Sequence, residues 1–351
     1  MARLSYVRYS TSMRIVIATG IYPPEVGGPA LYAKGIKESL ERAGHEAPVV
    51  LFGSFRKYPS GIRHLLYLMR LLSISRGASA LLAFDTSSVG IPAVLAGILL
   101  GIPVVIRIGG DFVWESYIER TKDLVPLPDF YRTERSFTSK ERLTHLLVAW
   151  MLRHAELAFN TSWLLDIWKE PYGIEASRAH IVENAIGERM GVSGSDRSHD
   201  ADDAHRSILL YGRQIALKNH AAFRSAFEKA RGSGMELELE EGMIPHDDLL
   251  EKMRSCRAVA IPSISEVAPN SVIDAVRCGK PFLLTKYSGY AEKYKGMGII
   301  IDPLDEADMI HGIKEIADPA IYERLRNAIV RYTEVRTYDD VAREMLAILE
   351  K

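Results

Sequence analysis

Cysteine is nearly absent from this sequence: the 351 residues hold two, Cys256 and Cys278. Two thiols make no disulfide framework, and their spacing is not that of a metal site, so a reduced, cytoplasmic setting is the simplest expectation. Charge of one sign is lacking as well. A formal net charge of −1 excludes a nucleic-acid binder held by bulk charge. The N-terminus, MARLSYVRYSTS, has no apolar centre and does not read as a secretion signal. Residues 1–12 read as a tail or a misplaced start ahead of the first strand at Met13. One charge-free stretch, Ser87 to Ile106, is long enough to cross a bilayer. Pro92, Gly101 and Pro103 interrupt it, so it reads as a helix from Ile91 to Leu100, a turn, and a buried strand from Val104 to Ile108. Internal repeats and low-complexity tracts are missing too.

What is present is an alternation of short apolar strands and helices. MRIVIATG reads as a strand, followed by a helix from Ala30 to Ala43. Strands at Ala47–Phe52, Ser79–Phe84, Glu156–Asn160 and around His180–Glu183 follow, with helices between them. That rhythm predicts an α/β fold built on parallel sheets. A polar, aperiodic stretch, GERMGVSGSDRSHDADDAHR, then divides the chain. The expected organisation is a first domain over 13–187, a connection over 188–206, a second domain over 207–335, and a C-terminal helix over 336–351. The length suffices for two separate cores.

The chemistry concentrates in the second half. Arg213 and Lys218 follow the strand in ILLYGRQIALKNHAAF, and Glu266 and Asp274 follow the strand in the run ending SISEVAPNSVIDAVRCGKP. A guanidinium forks onto phosphate oxygens and an ammonium adds a point charge. Carboxylates accept from vicinal sugar hydroxyls. A helix opening at Ala268, Pro269, Asn270 and Ser271 adds free N–H groups and a partial positive charge. In open α/β sheets such loops lie at the carboxyl ends of the strands, where ligands bind. The set suits a ligand with a diphosphate at one end and sugar rings at the other. An alternative stays open for Asp274: with Ser271 it fits a capping box and would then only close its own helix.

The span from Ser207 to Pro303 resembles the donor domain of family-4 retaining glycosyltransferases of the GT-B fold. The carrying motifs are Gly212-Arg213…Lys218, Pro262-Ser263…Glu266…Asp274, Ala275…Gly279-Lys280-Pro281-Phe282, and Gly298 to Pro303. More loosely, Gly27 and Gly28 match the family's glycine-rich loop after the first strand, and Asn184 stands where it has a cleft residue. The resemblance implies two Rossmann-like domains facing each other across a cleft, with the C-terminal helix returning to the first. It implies a metal-independent enzyme moving a hexose, with retention, from a nucleotide diphosphate sugar to a hydroxyl acceptor. Cell-envelope polysaccharide or glycolipid synthesis is the expected setting, with the nucleotide sugar as co-substrate, no further cofactor and no nucleic-acid partner. Arg213 and Lys218 would hold phosphate, Asp274 the ribose and Glu266 the transferred sugar.

Three departures from the family pattern stand out. No His follows the strand ending near Ile108, which leaves Asp111 as the nearest catalytic candidate; Pro269 replaces a Gly; and Asp replaces Glu at 274. They keep a non-catalytic nucleotide-sugar-binding subunit open beside a nucleotide-sugar epimerase of the same fold. The lone D-x-D, Asp200-Ala201-Asp202, sits in the polar connection and reads as solvated linker rather than metal site. Finally, residues 56–76 interleave Arg56, Lys57, Arg63, Arg70 and Arg76 with Leu, Tyr and Met. Such a basic amphipathic run suits peripheral contact with the inner face of a membrane and a lipid-linked acceptor.

Overall fold

The computed structural model describes residues 12–25, 27–190, 206–232 and 236–350. Asp200 and Asp202, and most of the polar connection, lie outside the described residues. The chain forms two parallel sheets. Strands β1 (Ile15–Thr19), β2 (Val49–Leu51), β3 (Ala80–Ala83), β4 (Val104–Ile108), β5 (Glu156–Phe159) and β6 (Ala179–Ile181) build the first, in the order β2-β1-β3-β4-β5-β6. Strands β7 (Ser207–Tyr211), β8 (Glu238–Gly242), β9 (Ala258–Ile261), β10 (Phe282–Thr285) and β11 (Ile299–Ile301) build the second, in the order β11-β10-β9-β7-β8. Every ladder is parallel, as in Val16 opposite Leu81 and Leu209 opposite Val259. The apolar strands IVIAT, ALLA, AVAI and FLLT are buried throughout, because helices cover both faces of each sheet.

In the first domain, helices Ile62–Ile74, Gly90–Leu100, Ser139–Leu152 and Ser162–Tyr172 cover one face. Helix Gly28–Arg42 covers the other, together with the C-terminal helix Tyr338–Leu349. Gly35 permits that last contact, since a Cβ there would meet the Tyr338 ring at 2.5 Å. In the second domain, helices His220–Arg231 and Glu306–Ala317 lie on one face, and His246–Ser255 and Asn270–Arg277 on the other. The charge-free stretch is indeed helix, turn and strand: Gly101 ends Gly90–Leu100 in the left-handed region at φ 67°. Among the described residues no helix is long and apolar enough to cross a membrane.

The chain passes between the domains twice, and the two passages touch. The N–H groups of Ile186 and Gly187 both donate to the Arg336 carbonyl, at 2.8 and 3.1 Å. The Arg336 side chain donates back to the Glu183 carbonyl at 3.2 Å and pairs with Glu344.

Candidate functional site

The carboxyl ends of both sheets face a cleft of about 750 Å³. Its C-terminal wall begins after β7. Gly212 takes φ 147°, a single turn spans Ala216–Lys218, and Asn219 adopts the left-handed conformation at φ 55° before helix His220–Arg231 starts. Asn tolerates that conformation better than most residues, and its amide is anchored to the Pro303 carbonyl at 2.7 Å. This turn presents Arg213 and Lys218 at the cleft.

After β9 the chain makes a buried loop. Ser263 and Ser265 are both covered, and the Ile264 N–H donates to Leu217 O at 2.9 Å, so the two strand-end loops are tied together. Glu266 is pinned by its own backbone: its N–H donates to Tyr287 O, and its carbonyl accepts from Gly289 N, both at 3.0 Å. Its side chain forms an ion pair with the Lys218 ammonium and accepts from Ser263 Oγ at 2.7 Å. The sequence motifs assigned Lys218 and Glu266 to different ends of a ligand; the fold makes them direct partners.

Pro269 caps helix Asn270–Arg277 without a side-chain bond. The capping-box alternative for Asp274 is therefore not what the structure shows. Asp274 lies further along the helix, largely buried, with Oδ2 2.9 Å from His246 Nε2 and Oδ1 3.3 Å from Arg277 Nη1. The hydrogen bond from Asp274 raises the His246 pKa above its ordinary value, against the opposing effect of burial. Arg277 also donates to the Glu188 carbonyl at 3.0 Å, so this carboxylate is connected to the interdomain passage.

The opposite wall belongs to the first domain. Gly28, Arg107, Gly109, Asn160 and Asn184 line it. Arg107 stacks on Tyr32 at 4.0 Å and donates to Asn184 Oδ1 at 2.6 Å; Asn184 in turn donates to Asn270 Oδ1 at 3.3 Å. A Cβ on Gly28 would stand 2.6 Å from the Asn270 amide nitrogen, so a larger residue there would displace the Asn270 side chain. Gly27 is not among the cleft residues; at φ 151° it opens helix Gly28–Arg42.

Asp111 requires a correction. It is 1 % exposed and N-caps helix Phe112–Thr121, accepting from Trp114 N at 2.9 Å. Its other oxygen accepts from Tyr131 Oη at 2.5 Å and Trp168 Nε1 at 2.9 Å. The carboxylate is saturated inside the first domain and does not reach the cleft. Two acids of this helix face the second domain, Glu115 and Glu119, and Glu115 lies near Arg213 and Lys218. Burial pushes its pKa up to about 7, against the pull of Arg213 and Lys218. One turn on, Glu119 accepts from the Leu217 N–H at 3.1 Å, which seats the helix against the Lys218 turn.

The structure thus brings Arg213, Lys218, Glu266, Asp274, Asn184, Gly28 and residues 268–271 to one cleft. It adds His246, Arg107 and Tyr32, to which no site role had been given. Arg107 carried a signal, as a lone cation in the apolar strand VVIRI. His246 carried none, being 28 residues before the acid it meets. Among the described residues no group of three or more His, Cys, Asp or Glu could hold a metal ion. Both cysteines are buried and unpaired.

Comparison with known proteins agrees with this architecture. Residues 241–335 match the family model for glycosyl transferases group 1. No curated protein matches the sequence. Sucrose-phosphate synthase from Thermosynechococcus elongatus superposes with a TM-score of 0.67 at 13% identity, covering 96% of this chain and 98% of that one. HepE from Anabaena, in complex with UDP-glucose, gives 0.67 at 13% identity, covering 96% of this chain and 99% of that one. The catalytic domain of starch synthase IV from Arabidopsis thaliana, bound to ADP and acarbose, gives 0.67 at 10% identity, covering 97% and 99%. The chain has the GT-B fold of these glycosyltransferases.

Proposed function

We propose that this chain is a metal-independent, retaining glycosyltransferase that takes a hexose from a nucleotide diphosphate sugar and gives it to a hydroxyl acceptor. Its setting in this reading is the cytoplasm, in cell-envelope polysaccharide or glycolipid synthesis, with no cofactor beyond the co-substrate. One observation carries the reading. Two cations, two acids and a helix N-terminus from separate stretches of the second domain meet in one interdomain cleft.

The donor's diphosphate lies against Arg213, Lys218 and the first N–H groups of helix Asn270–Arg277. These donors oppose the charge that grows on the leaving nucleotide, an effect worth about 10²–10³ in rate per donor. Asp274, oriented by His246 and Arg277, accepts from the ribose. Glu266, fixed by Ser263 and its backbone bonds, accepts from the hydroxyls of the sugar. The acceptor enters from the wall that holds Arg107 and Asn184. Retention is drawn from the family resemblance. UDP-glucose is the first donor to try, since HepE was captured with it.

The test is to incubate the protein with a panel of nucleotide diphosphate sugars and hydroxyl acceptors, with and without chelator, and to detect freed nucleotide. Turnover that survives chelation supports the proposal. Tight donor binding with no turnover on any donor points instead to a binding subunit, and an altered sugar still joined to its nucleotide points to an epimerase.

A further inference from the structure

The first sheet carries three neighbouring helices, Ile62–Ile74, Gly90–Leu100 and Ser139–Leu152, packed side by side. Their inner faces fill the core, through Tyr67, Leu71, Val94, Val148 and Met151. Their outer faces ought to be polar, as on any helix that meets water. They are not. Leu65 is 58% exposed, Met69 60%, Leu99 66% and Leu146 64%, and Ile62, Ile98 and Leu143 are more than half exposed as well. Large apolar side chains exposed together on adjoining helices of a folded domain mark a contact site.

The charges on the same helices have one sign. Arg70, Lys140 and Arg142 are exposed, and Arg63 is half-covered beside Phe52. The three helices contain one acid, Glu141, which is buried and paired with Arg120. This face therefore offers leucines and cations with no exposed carboxylate.

We propose that this three-helix face docks on an anionic lipid bilayer, with its leucine, isoleucine and methionine side chains in the acyl boundary and Arg70, Lys140 and Arg142 among the headgroups. The charge pattern selects this occupant over a second copy of the chain. A two-fold contact presents the same patch to itself and would set these cations against one another with no carboxylate to answer them. A bilayer supplies both an apolar interior and a negative surface. The face is broader than the residue 56–76 run in which the sequence pattern located membrane contact. Within that run Tyr67 and Leu71 belong to the core and Arg56 pairs with Glu25, while the helices at 90–100 and 139–152 supply the rest. Docking in this way does not depend on the proposed chemistry.

Vesicle flotation tests it with no substrate present. The full chain should float with vesicles of phosphatidylcholine and phosphatidylglycerol at low salt, be released at high salt, and stay down with phosphatidylcholine alone. Replacing Arg70, Lys140 and Arg142 by Glu should lower partitioning by at least about fivefold per charge removed. Leu65→Asp with Leu146→Asp should abolish it, with little change in melting temperature because both side chains are more than half exposed. Failure of the wild type to bind anionic vesicles at low salt overturns the proposal. So does concentration-dependent dimerisation that the Leu65→Asp, Leu146→Asp variant removes while vesicle binding is absent.

Discussion

Replacing Glu266 by glutamine should make the protein bind a bare nucleoside diphosphate more tightly while destroying its ability to use the sugar. The reason is the ion pair with Lys218. An ammonium shared with a carboxylate is only partly available to a phosphate, and the carboxylate repels any anion that approaches the same cation. Two unit charges about 6 Å apart interact by roughly 3 kcal/mol at the effective dielectric near a protein surface and roughly 0.7 kcal/mol in bulk water, so the gain should lie between about threefold and about 100-fold in affinity. Glutamine keeps the length of the side chain and the acceptor for Ser263 Oγ, so the loop should not move. Titration calorimetry with UDP, or whichever diphosphate the donor panel selects, should show the gain. Transfer should fall by about 10²–10³, the loss expected when one positioned charge–hydroxyl interaction disappears. Bare-nucleotide affinity weakened tenfold or more would mean that Glu266 touches the nucleotide itself. Undiminished transfer would remove it from the sugar altogether.

Arg213→Ala should weaken diphosphate binding by about 10–100-fold, the worth of a charged hydrogen bond, with little change in stability because the side chain is exposed; calorimetry and a melt decide. Asp274→Asn should cost a similar factor in nucleotide affinity and bring the raised His246 pKa down, visible in an NMR titration. The stability that His246 draws from this acid is fully present below its ordinary pKa and is lost as pH rises through the raised value, so the variant should lose most at acid pH. Glu115 gives the same direction of pH dependence from a different cause, burial of the charged form. Its pKa is raised from 4.5 to about 7, so folding stability declines as pH climbs between those values and stays reduced above them. Glu115→Gln should flatten that decline and be more stable by roughly 1–3 kcal/mol at alkaline pH, in urea melts across the range; an unchanged profile would show that this carboxyl is freely solvated.

Strand-end loops were legible because glycine, proline and polar residues punctuate apolar strands, and the chemistry of a parallel sheet sits at those punctuation marks. Arg213, Lys218, Glu266 and Asp274 could be found that way. What one dimension hides is adjacency. Lys218 and Glu266 are 48 residues apart, and they meet because β7 and β9 are neighbours although β8 intervenes in the chain. His246 reaches Asp274 through the same rearrangement. Asp111 misled for a different reason. A carboxylate after a strand can either cap the next turn or reach a ligand, and what decides here is its bonds to Tyr131 and Trp168, 20 and 57 residues away, which local sequence does not show. The run at 56–76 was legible, but the apolar outer faces of helices Gly90–Leu100 and Ser139–Leu152 were not, because hydrophobic spacing alone does not say which side of a helix meets the sheet.

The Arg336 carbonyl, shared by the N–H groups of Ile186 and Gly187, fastens the outgoing and returning chain to each other at one point between the domains. The Arg277 guanidinium joins this crossing to the cleft, one arm on the Glu188 carbonyl and another on Asp274. Any group that engages that carboxylate therefore meets a guanidinium already bonded to the backbone of the interdomain passage.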